Sequence, residues 1–183
     1  SIRICIIMQE IEVLPDYFAI CLVGHGTRDK NGINEFLALS SKLKDREPDR
    51  VIECGFLGLA EPTFEEAITK CVEDGINNIV VIPALLISAS HAKKDIPDIV
   101  INMTKMYPAL NIKYGRPLGI HPKILKVCSE RIETAENNSI SSITRAETLL
   151  MTVAHGSTYS DTNLTTEKVS QILRKSMEFG GSE

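Results

Sequence analysis

The sequence predicts an α/β fold: a parallel sheet flanked by helices, followed by the first strand and helix of a second, similar lobe. Three observations predict it. Short apolar runs alternate with stretches of helical periodicity, the pattern of a parallel sheet covered on both faces. The first run, Phe18, Ala19, Ile20, Cys21, Leu22 and Val23, is apolar without interruption, as a strand buried on both faces must be. The order strand, His, Gly, hydroxyl then recurs from Leu149 to Ser157 as it stands from Ala19 to Thr27, with His155 lying 155 − 25 = 130 positions after His25.

Each element has its own signal. Strand one ends in Val23, Gly24, His25, Gly26 and Thr27, whose glycines permit a tight turn and close approach of a ligand. Ile33, Phe36, Leu37, Ser40 and Leu43 give the first helix, which ends before Pro48. Strand two runs from Arg50 to Leu57. Thr63 followed by Glu66 is a capping box that opens the second helix, with Phe64, Ala67, Ile68, Cys71 and Val72 as its stripe and Gly75 as its stop. The third strand starts at Asn78, and its regular part ends near Pro83, which cannot donate to a ladder. Ile96, Ile99, Val100, Met103 and Met106 mark the third helix, and Asn111 to Gly115 the fourth strand. His121 and Pro122 open a fourth helix carrying Leu125, Cys128 and Ile132, with His121 read as a turn or cap residue. The expected organisation is a lobe over 17–136, a polar linker over 137–146 and a partial second lobe over 147–183, its helix carrying Leu164, Val169, Ile172 and Leu173.

Composition narrows the function. The chain has 183 residues, 43% of them hydrophobic, so it can bury a real core. A formal charge of −4 and the absence of Trp argue against a nucleic-acid binder. The five cysteines, Cys5, Cys21, Cys54, Cys71 and Cys128, contain no CxxC pair and read as small buried hydrophobes in a reducing, cytoplasmic setting. No apolar run is long enough to span a membrane, and no membrane partner is expected. The opening stretch from Ile2 to Met8 makes a poor signal peptide.

A flavodoxin-like strand order, 2-1-3-4, makes strands one and three neighbours, with a ligand crevice at their C-terminal ends. His25 follows strand one and His91 follows strand three, so the two imidazoles are expected to meet there. Neutral imidazole ligates divalent first-row metals and accepts protons near neutrality. With no HExxH or Cys/His zinc spacing, an open site that meets metal transiently fits better than a closed structural one. The same edge gathers Arg28, Lys30, Lys93, Lys94 and Arg116, which suits an anionic ligand. Leu85, Leu86, Ile87, Ser88, Ala89 and Ser90 would supply an apolar wall with hydroxyl tips, a place for a flat greasy ring bearing carboxylates.

Four motifs are similar to those of the CbiX/SirB group of class II chelatases: VGHGTRD (Val23 to Asp29), GFLGLAEPTFEEA (Gly55 to Ala67), VVIPALLISASHAKKDIP (Val80 to Pro97) and YGRPLGIHP (Tyr114 to Pro122). The resemblance implies insertion of cobalt or iron into sirohydrochlorin, with cobalt and the cobalamin pathway favoured by the long two-lobe style and iron for sirohaem as the alternative. It implies His25 and His91 as metal and proton-accepting residues, Arg28 among the substrate contacts, and Leu85 to Ser90 as the tetrapyrrole site. The divalent metal is then a substrate, no organic cofactor is implied, and the chain pairs as a homodimer or with a second lobe. One departure matters: relatives carry Glu where this chain has Gly58, and that Glu is taken as a third metal ligand. Glu53 faces the opposite way on its strand, and Glu61 belongs to the AEP turn. Two other readings exist. A degenerate lobe could bind metal or tetrapyrrole without catalysis. A histidine phosphatase would carry Arg, not Gly24, before the histidine.

Overall fold

The computed structural model describes residues 14–86, 90–154 and 160–182, with 90–93 and 160–163 described by backbone alone. They form two compact units: one holds the chain up to Leu85 together with His91–Pro117, the other Leu86–Ser90 and the chain from Leu118.

The first unit is a four-stranded parallel sheet in the order β2-β1-β3-β4, built from β1 (Ala19–Gly24), β2 (Ile52–Phe56), β3 (Asn78–Pro83) and β4 (Asn111–Tyr114). This is the strand order expected from the sequence. Every residue of β1 is buried, because β1 is paired on both sides and covered on both faces. Its alternate side chains feed two cores. Ala19, Cys21 and Val23 pack with helices α2 (Phe64–Glu73) and α3 (Ser90–Met106) through Phe64, Ala67, Ile68, Cys71, Ile96 and Met103. Ile20 and Leu22 pack with Ile52, Cys54 and the face of α1 (Lys30–Arg46) that carries Phe36, Leu37 and Leu43. Cys21, Cys54 and Cys71 are buried free thiols; burial raises the Cys21 pKa well above the usual thiol value and pushes Cys71 up to about 11.

The local signals explain where the elements begin and end. Thr63 caps α2: its hydroxyl accepts from Glu66 N–H at 3.2 Å, and its own N–H donates to the Glu66 carboxylate at 2.7 Å. Gly75 closes the helix at φ +80°, a conformation glycine adopts without a Cβ clash. β3 stops at Pro83 as expected. At the opposite end of the sheet the Arg50 guanidinium donates to the carbonyls of Pro15 and Phe18, both at 2.8 Å, and of Leu14 at 3.1 Å, fixing the chain's entry into β1. In α3 one stripe assignment is corrected: Met106 is 67% exposed, because the buried face runs through Ile96, Val100, Met103 and Tyr107, and Met106 stands to one side of it.

At the C-terminal edge the ladder continues beyond the strands. Leu57 N–H donates to Gly24 C=O at 2.9 Å, Ala84 N–H to Val23 C=O at 2.8 Å, and Gly115 N–H to Val81 C=O at 2.8 Å. These bonds fix the four loop starts relative to one another. The loop after β1 then turns through Gly26 at φ +92°, directly against the backbone of Gly58, so a Cβ on Gly26 would collide with the Gly58 carbonyl. Gly24 is close-packed too, with the Phe36 ring 3.0 Å from where its Cβ would stand.

The second unit contains α4 (Pro122–Asn137), a 3-10 turn (Arg145–Glu147), β5 (Leu149–Leu150), α5 (Ser160–Met177) and β6 (Gly181–Ser182), with β5 and β6 parallel. The sequence reading places α4 in the first lobe; in the structure its stripe, Leu125, Cys128 and Ile132, packs with Leu173, Met177 and Phe179, which groups it with α5. Of the stripe read for α5, Val169 and Leu173 join this cluster, whereas Leu164 and Ile172 stand off it and are exposed. The expected strand after Leu149 is also shorter than its apolar run. β6 supplies only two paired residues, and the positions matching Ala19, Cys21 and Val23, namely Leu149, Met151 and Val153, are exposed. Arg145 clamps Glu136 through two hydrogen bonds of 2.8 and 2.6 Å, tying the 3-10 turn to the end of α4.

Two outcomes are expected. Gly26→Ala forces a strained φ and a backbone clash, and should cost at least about 2 kcal/mol in chemical unfolding, whereas Gly58→Ala, whose Cβ meets open space, should stay within about 0.5 kcal/mol of the parent. Arg145 holds the Glu136 carboxyl below its usual pKa, so its contribution is complete above the ordinary carboxylate range and disappears as the pH falls through the lowered value. Thermal melts between pH 7 and pH 3 should lose that component in Glu136→Gln.

Candidate functional site

The loop carrying His25 is set by its own side chains. The Thr27 hydroxyl accepts from Asp29 N–H at 3.1 Å, and the Asp29 carboxylate accepts from Asn31 N–H at 3.1 Å, capping α1. Thr27 and Asp29 of the VGHGTRD motif are therefore used in building the turn. His25 is exposed, and its Nδ1 lies 3.3 Å from the Gly26 carbonyl. A carbonyl can only accept, so this bond makes Nδ1 the protonated nitrogen. Nε2 is then the acceptor nitrogen, the one that can take a proton or a metal.

β1 and β3 are neighbours, so the chain leaves both strands at the same edge. His91 belongs to the first turn of α3, which follows β3; its side chain lies outside the described residues. Of the expected apolar wall, Leu85 packs in part against the core below α2 and α3, and Leu86 is exposed. Ile87, Ser88 and Ala89 lie outside the described residues, as does the side chain of Ser90, and so does His155. Arg28 is exposed at the edge. Among the described residues no group of three His, Cys, Asp or Glu side chains is arranged to hold a metal.

The carboxylates near the edge have separate fates. Glu53 is bound by Lys70 at 2.7 Å and by Lys44 at 3.6 Å, and this pairing draws the Lys70 pKa up. Glu61 is exposed in the loop after β2. Position 58 is open: nothing lies within 4 Å of a Cβ built there, although its backbone touches the His25 loop. His121 caps α4, its Nδ1 accepting from Lys123 N–H at 3.2 Å, which is the role read from its sequence context.

The backbone conformation of Leu59 was not legible in the sequence. The residue is 60% exposed beside Gly58 and takes φ +63°, the left-handed region that branched side chains rarely adopt. No glycine or asparagine marks that conformation in advance. Strain of this kind, about 1–3 kcal/mol, collects where a loop is shaped for a ligand.

Comparison with known proteins agrees with this architecture. The family model CbiX matches residues 19–135. A sirohydrochlorin ferrochelatase of Bacillus subtilis is 39% identical over 115 residues, 63% of this chain and 44% of that protein. A sirohydrochlorin cobaltochelatase of Priestia megaterium is 30% identical over 155 residues, 85% of this chain and 50% of that protein. The solved structure of SirB from Bacillus subtilis with Fe3+ superposes with a TM-score of 0.79 at 30% identity, covering 90% of this chain and 63% of that one. The chain thus spans about half the length of the curated relatives it matches. With the family model covering most of the first unit and the parallel sheet in the expected order, the chain belongs to the CbiX family.

Proposed function

We propose that this chain inserts a divalent metal into sirohydrochlorin, with Co2+ as the metal and the cobalamin route as the setting. The observation that supports the reading is the adjacency of β1 and β3, of which β1 runs into the His25 loop and β3 is followed by α3, with His91 in its first turn. Insertion exchanges two pyrrole N–H protons for one M2+, so the site must receive protons and deliver a metal. His25 suits both tasks through an Nε2 lone pair freed by the Nδ1–Gly26 bond. His91 is assigned the matching role on the other side of the ring. Arg28 would meet a ring carboxylate, and Leu85 to Ser90 would border the macrocycle face. Leu59 adds an exposed apolar surface on the β2 side.

Fe2+ insertion is the second reading. The 39% identical relative is named a ferrochelatase, and imidazole serves both metals. The strand, His, Gly and hydroxyl repeat 130 residues apart supports a two-part organisation: 17–136 as the catalytic lobe, 137–146 as its linker and 147–183 as part of a second lobe, against which α4 packs.

Mixing the protein with sirohydrochlorin and Co2+, then Fe2+, and following the absorbance change tests insertion and ranks the metals. His25→Ala should lower turnover at least about a hundredfold while the melting temperature stays near that of the parent. Turnover within twofold of the parent would remove His25 from the mechanism. Gly58→Glu places a carboxylate in open space beside the His25 loop and should tighten Co2+ binding about tenfold by calorimetry.

A further inference from the structure

We propose that Arg116 is a positioning residue that grips a peripheral carboxylate of the tetrapyrrole and so sets how the ring is centred over His25. This rests on the reading above and adds a specific anchor to it.

Register places the residue. Val23 pairs with Pro83, and Val81 with Tyr114, so position 116 stands level with Pro83 and Val23. The alternation that sends Ile112 and Tyr114 toward the core under α2 and α3 assigns position 116 to that face. His25 continues the same series from Ala19, Cys21 and Val23. Two strand spacings separate β4 from β1, about 10 Å, and His25 lies two residues further along, about 7 Å. The two backbone positions are thus about 12 Å apart along one sheet edge. A ligand held at its centre by His25 and at its periphery by Arg116 must be broad and must carry anions on its rim.

The backbone at Arg116 is held on both sides. Gly115 N–H donates to Val81 C=O at 2.8 Å, and Pro117 restricts Arg116 to an extended conformation. The guanidinium is exposed and, among the described residues, has no carboxylate partner, as is also true of Arg28, Lys30 and Lys94 at the same edge. Two acidic residues of the loops after β1 and β2 do not offset it. Asp29 is occupied as the α1 cap, and Glu61 follows β2, at the far side of the sheet from β4. An unpaired arginine on a fixed backbone presents a planar fork that matches a carboxylate bidentately, which lysine cannot reproduce.

The test is binding of metal-free sirohydrochlorin, followed by its absorbance, to the parent, Arg116→Ala and Arg116→Lys, repeated with the methyl ester of the ligand. Arg116→Ala should weaken binding of the free acid about five- to tenfold and raise KM in step, with kcat within twofold, and Arg116→Lys should recover only part of the loss. The ester should bind the parent and Arg116→Ala equally. Unchanged binding of the free acid by Arg116→Ala, or an equal penalty on the ester, overturns the role of Arg116 and leaves the chelatase reading standing. Failure of the parent to bind sirohydrochlorin at all overturns both.

Discussion

The structure depends on the parallel ladder running past the nominal ends of its strands. Bonds from Leu57 to Gly24, from Ala84 to Val23 and from Gly115 to Val81 hold the four loop starts in one fixed line. Each bond satisfies a backbone group that would otherwise lie unpaired at a partly covered edge. The result is a rim whose loops begin from rigid positions, although loops are usually the least constrained part of an α/β fold. His25 inherits that rigidity through Gly24, and Arg116 inherits it through Gly115.

Gly26 and Gly58 form the tightest point of the rim. One turns through a left-handed conformation against the backbone of the other, so the loops after β1 and β2 touch without side chains between them. The two glycines nevertheless differ in kind. Gly26 is required by its φ and by the contact, whereas Gly58 has open space where a side chain would stand. Position 58 is therefore free of the packing constraint that holds position 26, and a change of residue there alters the chemistry beside His25 without rebuilding the loop.

Much of this was legible in the sequence because local signals agreed with the global pattern. The uninterrupted apolar run to Val23 announced a strand buried on both faces, and Pro83 marked where the third strand had to stop. Thr63 with Glu66 announced a capping box, and the assumed order 2-1-3-4 is the one observed. Features set by distant partners escaped. Leu149, Met151 and Val153 have the composition of a central strand, but β5 has only a two-residue partner, so the run stays mostly irregular and exposed. Met106 was counted as core on its apolar character, although the face marked by Ile96, Val100, Met103 and Tyr107 leaves it to one side. The left-handed Leu59 is imposed by its loop against ordinary preference, and Arg116 gains meaning only through register across three strands.

The buried sulfurs carry a further consequence. Cys21, Cys54 and Cys71 lie inside the sheet's two cores, and the raised pKa values of Cys21 and Cys71 keep those thiols protonated at any physiological pH. Thiolate is the soft ligand that would hold a transition metal hardest. With these three sulfurs out of reach and the His25 imidazole at the surface, the first unit offers a passing transition-metal ion imidazole rather than thiolate.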